Sequence, residues 1–270
     1  MNRFLIPVVI ILVMVAGYLA ISTRKQDTTP VQVQIELPPQ VKQEQQAVKP
    51  PEPKFVVPEP QVQAELAKPL PVLDESDQVV EQEFNGLVNG DTGLAQLLMF
   101  KAFIRNFVVI VNNMTLSKIP LKYQFFHAPA GTFQVKSDTP ETRFIDPQNY
   151  SRYLPLVRLV AAIDMDNLVS VYVYLYPLFQ TAYEEMGYPN RYFNDRLVEV
   201  IEHLLETPEV PDPIVLVQPK VYYQFADADL EARSAGQKLL IRTGRENAAL
   251  LKLKLKDLHA KLTSLKGLDK

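Results

Sequence analysis

The sequence predicts a mainly α-helical, compact multi-helix domain with one small β-hairpin, preceded by a single transmembrane helix and a disordered stalk. Three observations lead to this prediction. Residues 4–21 form an uncharged apolar run, residues 25–72 are rich in proline and lack glycine, and the remainder repeats apolar residues mostly at helical spacing. We therefore divide the chain into an anchor at 1–24, a stalk at 25–72 and a helical domain at 73–270.

The apolar run extends from Phe4 to Ile21. As a helix rising ~1.5 Å per residue it would measure ~27 Å, close to the thickness of a bilayer's hydrocarbon core. A cleaved secretory signal usually has a shorter apolar core and a small-residue cleavage site, so we predict an uncleaved anchor. Arg3 on one side is matched by Arg24 and Lys25 on the other, so charge alone gives no orientation.

The predicted stalk is rich in Pro, Gln, Glu, Val and Lys. Such a composition does not supply the apolar surface that a core needs. Proline without glycine favours extended polyproline II, in which ~50 residues reach ~150 Å. We interpret the segment as a spacer, and the alternative is a proline-rich segment that docks on a partner.

Capping side chains and apolar periodicity predict the elements of the domain in order. The first half contains a helix after Leu73–Asp77, a broad apolar helix over Leu94–Met114, a hairpin within Lys122–Ile145 and a helix opened by Asp146-Pro147 with a kink or restart at Pro155. Two helices follow, one capped by Asp166 and ended by Gly187, and one from Arg191 or Asn194 to Glu206. The last part contains an extended piece over Ile214–Tyr223, a helical turn near Asp227, a helix from Ser234 to Gly244 and a last helix over Arg245–Leu265.

Composition excludes several classes of enzyme. The chain has no cysteine, and its histidines His127, His203 and His259 do not form a metal-binding pair on one helix. It also lacks a G-x-S-x-G nucleophile turn and the glycine-rich phosphate loops. We therefore expect no metal, no cofactor and no catalytic activity. For this slightly acidic chain we expect no nucleic-acid partner.

A group of carboxylates flanks the Gly187-Tyr188-Pro189 turn. Two carboxylates held close together can divide acid and base roles in glycoside hydrolysis. The candidates for such a pair are Glu184, Glu185, Asp195 and Glu199. Surface charge on amphipathic helices explains them equally well.

Tyrosines crowd the same region. A tyrosine stripe can form a binding platform, because each ring offers apolar area and a hydroxyl. It can also be the helix face that packs on the core. The candidate binding residues are Tyr172, Tyr176, Tyr183 and Tyr188. Tyr183 and Tyr188, beside the Gly187 turn, are the better candidates for a surface role, whereas Tyr176 is the better candidate for core.

The final helix carries a leucine seam stepping by four and three residues, while lysines occupy its other faces. The seam comprises Leu251, Leu255, Leu258, Leu262 and Leu265. This spacing resembles that of a coiled coil, but two heptads are too few to establish one. The seam could pack on its own domain or mediate self-association, and the lysines could contact an anionic membrane.

Several stretches resemble a family of uncharacterised envelope proteins of Gram-negative bacteria, the domain of unknown function numbered three thousand and fourteen. The matching stretches are Leu73–Asp77, Arg105–Asn113, Ile145-Asp146-Pro147 with Tyr150, Arg152 and Tyr153, Gly187-Tyr188-Pro189, Thr207-Pro208, Tyr223–Asp227, Gln237-Lys238, and Gly244 with Asn247. The resemblance covers residues 73–260. It implies an N-terminal anchor in the inner membrane and a periplasmic domain, and it supplies no activity or substrate. Ala228 stands where the family leads us to expect proline.

Three functional hypotheses follow. The first is a non-enzymatic, inner-membrane-anchored periplasmic protein that binds or scaffolds an envelope protein or polymer. The second is a carboxylate-dependent hydrolase of an envelope polymer. The third is a carrier of a lipid or small ligand, with a pocket lined partly by tyrosines.

Overall fold

The computed structural model describes residues 52–58, 69–139 and 142–265. The predicted anchor at Phe4 to Ile21 lies outside these ranges, as does most of the predicted stalk. Within the described ranges, no helix has both the length and the apolar character needed to cross a bilayer.

The described part of the chain is mainly helical, as predicted, with a small antiparallel sheet. Its α-helices are α1 (Asp77–Leu87), α2 (Thr92–Ala95), α3 (Phe103–Asn113), α4 (Gln148–Arg152), α5 (Leu154–Ala162), α6 (Met165–Glu185), α7 (Phe193–Leu205), α8 (Ala228–Glu231), α9 (Ala235–Arg242) and α10 (Arg245–Thr263). Its strands are β1 (Val135–Ser137), β2 (Arg143–Ile145), β3 (Val215–Val217) and β4 (Gln224–Phe225).

The main core lies where α3, α6, α7 and α10 meet. Its centre is a chain of aromatic rings in which Phe107 contacts Phe125, Phe179 and Phe193, with ring centroids 5.4–6.2 Å apart. Each of these rings is essentially inaccessible to solvent. Large buried rings contribute much of the apolar area that stabilises a domain without disulfides, and they fix the approach of α7 to α3.

The leucine seam of α10 faces this core. Leu251, Leu255, Leu258, Leu262 and Leu265 are all buried, and α10 packs against α5, α6 and α7. The interpretation that the seam packs on its own domain is therefore confirmed. Self-association through these leucines stays a prediction, and it would require the buried seam to become accessible.

The sheet corrects the prediction of a single hairpin. The predicted pairing of β1 with β2 is present, with Lys136 opposite Phe144. However, β3 pairs with β2, and β4 pairs with β3, giving a four-stranded antiparallel sheet in the order β1-β2-β3-β4. Leu216 and Phe225 project from the added strands into a second, smaller core. Pairing between strands about seventy residues apart leaves no local sequence signal.

The predicted helix over Leu94–Met114 is also corrected. It is interrupted between α2 and α3, because Met99 donates its N–H to the carbonyl of Phe125 at 2.8 Å. Ala102 then adopts a left-handed conformation with φ 48° before α3 begins. The side chain of Asp77 accepts hydrogen bonds from the N–H groups of Ala102 and Phe103 at 2.7 and 2.9 Å. A distant side chain therefore caps α3.

The ends of the helices around the site follow capping chemistry. Pro155 stands in the first turn of α5, so the predicted restart is confirmed. The cap of α6 is Asp164, whose carboxylate accepts from Asp166 N and Asn167 N, two residues before the predicted cap. Gly187, with φ 113°, ends α6 as predicted, and the turn after it leads into α7.

Candidate functional site

A groove runs along α7; residues 52–55 lie in it, and a space of about 620 Å³ stays open beside them. The other walls come from Asn112 and Leu116 at the end of α3 and from residues 183–202. We call it the α7 groove. Four residues singled out from the sequence line it: Tyr183, Tyr188, Asp195 and Glu199. Glu184 and Glu185, the other candidate acids, point elsewhere.

Asp195 in the first turn of α7 binds the chain segment that precedes the domain. Its two carboxylate oxygens accept hydrogen bonds from the backbone N–H groups of Lys54 and Phe55, each at 2.9 Å. A negative side chain in this position is also favoured by the partial positive charge of the helix N-terminus. Asp195 therefore serves to hold a backbone, which removes it as a free acid or base.

Asn194 extends this contact into the core. Its side-chain N–H₂ donates to the carbonyl of Phe55 at 2.9 Å, and its oxygen accepts from the hydroxyl of Tyr172 at 3.1 Å. Asn194 and Tyr172 are both fully buried. Burial of a polar amide is tolerated because both ends find partners. A continuous hydrogen-bonded chain therefore links the centre of α6 to the segment in the groove.

The bound segment alternates in exposure, although the chain bends at Lys54 and Phe55. Phe55 and Val57 are half-buried and pack against the main core, whereas Lys54 and Val56 are exposed. The expectation that the whole proline-rich segment 25–72 contributes nothing to the core is therefore wrong for Phe55, Val57 and Leu70, which pack against the main core.

Arg196 forms the floor of the α7 groove and was missed by the sequence analysis. Its guanidinium donates to Asn112 Oδ1 at 3.0 Å, to the Asn112 carbonyl at 2.8 Å and to Thr115 Oγ1 at 2.6 Å. It also pairs with Glu199 at 2.7 Å. These bonds fasten α7 to the end of α3 and engage Glu199, one of the candidate acids.

The two remaining candidate acids have structural partners at the end of α6. Glu184 accepts a hydrogen bond from Gln180 at 2.7 Å. Glu185 forms an ion pair with Arg105, which also pairs with Asp74 at 2.9 Å. The hydrogen bond that Arg105 donates to Glu185 is the main reason why the pKa of Arg105 is raised. Of the four candidate acids, Asp195 and Glu199 line the groove.

The tyrosine stripe divides into core and groove. Tyr172 is fully buried, and burial raises the pKa of its hydroxyl well above the usual range. Tyr176 is half-buried, packs edge to face on Tyr172 and donates to Gln180 at 3.1 Å. Burial likewise raises the pKa of Tyr176. The structure therefore places Tyr172 and Tyr176 in packing roles, the role that the sequence favoured for Tyr176.

Tyr183 and Tyr188 form one end of the α7 groove. Their rings stack with centroids 4.7 Å apart and planes inclined by 15°. Tyr183 is only 2% exposed, which corrects its prediction as a surface residue, and burial raises the pKa of its hydroxyl. Tyr188 is half-buried, and the guanidinium of the exposed Arg191 lies 5.8 Å from its ring centroid. Tyr188 and Arg191 thus offer a ligand an aromatic edge and a cation.

A second cleft, of about 550 Å³, lies between α4 and the start of α10. The hydroxyl of Tyr150 donates to Asp212 Oδ1 at 2.5 Å, and burial is the main reason why the pKa of Tyr150 is raised. Gly244 has φ 88°, and a Cβ placed on it would lie 2.5 Å from Cγ of the Tyr150 ring. Asn247 donates to the carbonyls of Tyr150 and Thr243 at 3.0 and 2.9 Å. These contacts lock the two elements together.

Two of the three histidines have side-chain partners. His203 lies 2.8 Å from Ser234 Oγ, and His259 lies 2.9 Å from Glu202. In the ranges that the structure describes, no group of three or more His, Asp or Glu side chains is arranged to hold a metal ion.

Comparison with known proteins gives a family and no activity. A family model described as "Protein of unknown function (DUF3014)" matches residues 103–259, from the start of α3 almost to the end of α10. No curated protein and no solved structure matches the chain. The matched range includes all of α6 and α7, and with them the main walls of the α7 groove. The chain belongs to the DUF3014 family of proteins of unknown function.

Proposed function

We propose that the chain is a membrane-anchored periplasmic protein whose helical domain binds another component of the cell envelope without catalysing a reaction. The anchor would be Phe4 to Ile21 in the inner membrane, and the site of binding would be the α7 groove. The length of the apolar run and the proline-rich composition after it support the anchoring. The resemblance to envelope proteins supports the location.

One observation carries the binding function: the groove already holds a short piece of chain by its backbone. Asp195 and Asn194 contact the backbone of residues 54 and 55, and the half-buried side chains of Phe55 and Val57 reach the core. Backbone hydrogen bonds combined with alternate side chains in apolar contacts are how folded domains bind extended peptides. The groove therefore has the contacts that a peptide-binding site needs.

The same contacts weigh against a hydrolase. Acid and base catalysis by two carboxylates needs one group free to protonate the leaving group and the other free to attack or to activate water. Here Asp195 accepts two backbone N–H groups, and Glu199 is paired with Arg196. Neither carboxylate is arranged for proton transfer.

A carrier is disfavoured by the tyrosines. A ligand cavity lined by the stripe would need Tyr172 and Tyr176 to face an open space between helices. Tyr172 instead packs against Tyr176 and Phe179 with centroids 5.6 and 5.7 Å away, and its hydroxyl is bound to Asn194. Those rings fill the core where the cavity would have to be.

Crosslinked pull-down from intact envelopes tests the proposal. The full chain is compared with Arg191→Glu, which inverts the charge at the groove, and with Leu253→Glu, which changes an exposed residue on α10. We expect Arg191→Glu to reduce recovery of a specific partner at least fivefold and Leu253→Glu to leave it unchanged. Equal recovery with all three chains would overturn the assignment of the groove.

A reporter fused after Lys270 tests the location. We expect a reporter that works only after export to be active and a reporter that works only in the cytoplasm to be silent. The opposite pattern would contradict the periplasmic assignment.

A further inference from the structure

We propose that the α7 groove is a peptide-binding site, and that residues 54–57 are a resident occupant which a segment of a partner protein displaces. The partner segment has the same chemistry as the resident one: an aromatic residue and an aliphatic residue two positions later. This inference deepens the proposed function by naming the class of partner, and it rests on that function only for the existence of the partner.

The hydrogen bonds that hold the resident segment all involve its backbone groups. Three hydrogen bonds hold the segment, from Lys54 N and Phe55 N to Asp195 and from Asn194 to the Phe55 carbonyl, each 2.9 Å long. None of them involves a side chain of the segment. Any segment that presents the same two N–H groups and one carbonyl in the same geometry can therefore make them.

The apolar side chains of the resident segment determine which other segments can replace it. Phe55 and Val57 are the two residues of the segment that pack against the main core, whereas Lys54 before them and Val56 between them are exposed. A competing segment needs apolar side chains at the positions of Phe55 and Val57, and it is free to vary at the position between them.

The prolines around the segment restrict which sequences can bind in the groove. The segment lies between Pro53 and Pro58, in a stretch where proline also occurs at 50, 51 and 60. Proline has no backbone N–H and could not donate to Asp195. The two residues that donate are thus the ones at which the proline-rich stretch is interrupted, and a proline at either position of a partner segment would prevent binding.

The resident segment leaves part of the groove open, and a larger ligand could contact that part. Tyr188, Asn190 and Arg191 line the groove, and Arg191 and Asn190 are exposed. Contacts with them are available to a partner in addition to those that the resident segment makes. A covalently attached occupant competes at an effective concentration of about a millimolar, so a partner needs such extra contacts to displace it.

The test uses the full chain in detergent and a fluorescent peptide with the sequence of residues 50–60, followed by anisotropy. Lys54→Pro in the chain removes one N–H donor of the resident segment and keeps Phe55 and Val57. We expect this variant to bind the peptide at least tenfold more tightly than the unaltered chain does, because its own occupant competes less. Adding Asp195→Ala should abolish the binding.

The matched control is a peptide carrying the same Lys54→Pro change, which we expect not to bind. This peptide lacks the backbone N–H at position 54, and the protein itself is unchanged. The experiment therefore stays decisive even if the Asp195→Ala variant does not fold. Equal affinity of the peptide for the unaltered chain and the Lys54→Pro chain would overturn the inference, as would binding of the control peptide.

Size-exclusion chromatography of the same samples covers the other possible occupant. A dimer of the unaltered chain that Lys54→Pro converts to a monomer would mean that the groove takes the segment of a second copy, and would overturn the proposal of a separate partner. Failure of the envelope pull-down with intact peptide binding would count against the proposed function alone. A partner lost with Arg191→Glu, but no peptide binding, would count against this inference alone.

Discussion

The carboxylate of Asp195 accepts the backbone N–H of Phe55 at 2.9 Å, although 140 residues separate them in the chain. With the equivalent bond from Lys54, it attaches the proline-rich region to the helical domain. The folded domain therefore includes part of the segment that the composition predicts as stalk.

Asp195→Ala should lower the free energy of unfolding by about 1–3 kcal/mol, since it removes two hydrogen bonds to a charged acceptor. Glu206→Ala, at the exposed end of α7, is the matched control and should change it by less than about 0.5 kcal/mol. Urea unfolding of the three proteins measures both. A loss no greater for Asp195→Ala than for the control would mean that the segment is not held in solution.

Truncation of the tyrosines should separate core from groove. Tyr172→Ala should cost about 3–5 kcal/mol, the range for a large buried ring that leaves a cavity. Tyr188→Ala should cost about 1–2 kcal/mol, chiefly the stacking on Tyr183, because its ring is half-buried. Denaturant unfolding of both variants measures these costs. Similar losses of unfolding free energy for the two variants would contradict the division of the tyrosines into core and groove residues.

Stability should fall at alkaline pH through the buried tyrosines. The pKa of Tyr172 is raised in the folded state by burial, whereas in the unfolded chain it has the ordinary value of about 10. The unfolded chain therefore loses the proton first. The stabilising contribution is complete below about pH 10 and is lost as the pH rises above that value.

Tyr172→Phe has no hydroxyl to ionise at this position, and it should flatten the fall in unfolding free energy above about pH 10. Tyr222→Phe, which changes an exposed tyrosine, should leave the pH profile unaltered. Urea unfolding measured at several pH values between 8 and 11 provides the comparison. A profile for Tyr172→Phe that matches the unaltered chain would show that Tyr172 does not cause the alkaline loss.

Gly244→Ala should destabilise the domain more than Gly187→Ala. Both glycines have positive φ, so each substitution carries a backbone cost of about 1–2 kcal/mol. A Cβ at Gly187 meets nothing within 4 Å, whereas one at Gly244 would also clash with the Tyr150 ring. We expect the difference to be about 1–3 kcal/mol, and Tyr150→Ala to remove most of it in a double-mutant cycle. Additive losses in that cycle would refute the clash.

The sequence predicts the helices of this fold well because their signals are local. The apolar repeats of α1, α6, α7 and α10 lie within single segments, and the capping residues before α8 and α9 are adjacent to what they cap. The break before α3 depends on Asp77, 25 residues earlier, and the third and fourth strands depend on pairing across the chain. Those features have no local signal.

The same distinction applies to the α7 groove. Tyr183, Tyr188, Asp195 and Glu199 were identifiable because aromatic and acidic residues cluster around one turn. The sequence did not indicate the role of Arg196, whose partners on Asn112 and Thr115 are more than eighty residues away. Nor did it indicate that a proline-rich segment would dock, because composition reports the average of a segment and not the few residues between its prolines.

A photo-crosslinking amino acid at position 191, in the exposed edge of the α7 groove, tests the binding function most directly. The control is the same amino acid at position 253, which is 67% exposed on a different helix. In intact envelopes we predict a discrete crosslinked species from position 191, absent from position 253 and lost when Tyr188→Ala is added. Crosslinking that is absent at 191, or equal at the two positions, would contradict a binding function for the groove.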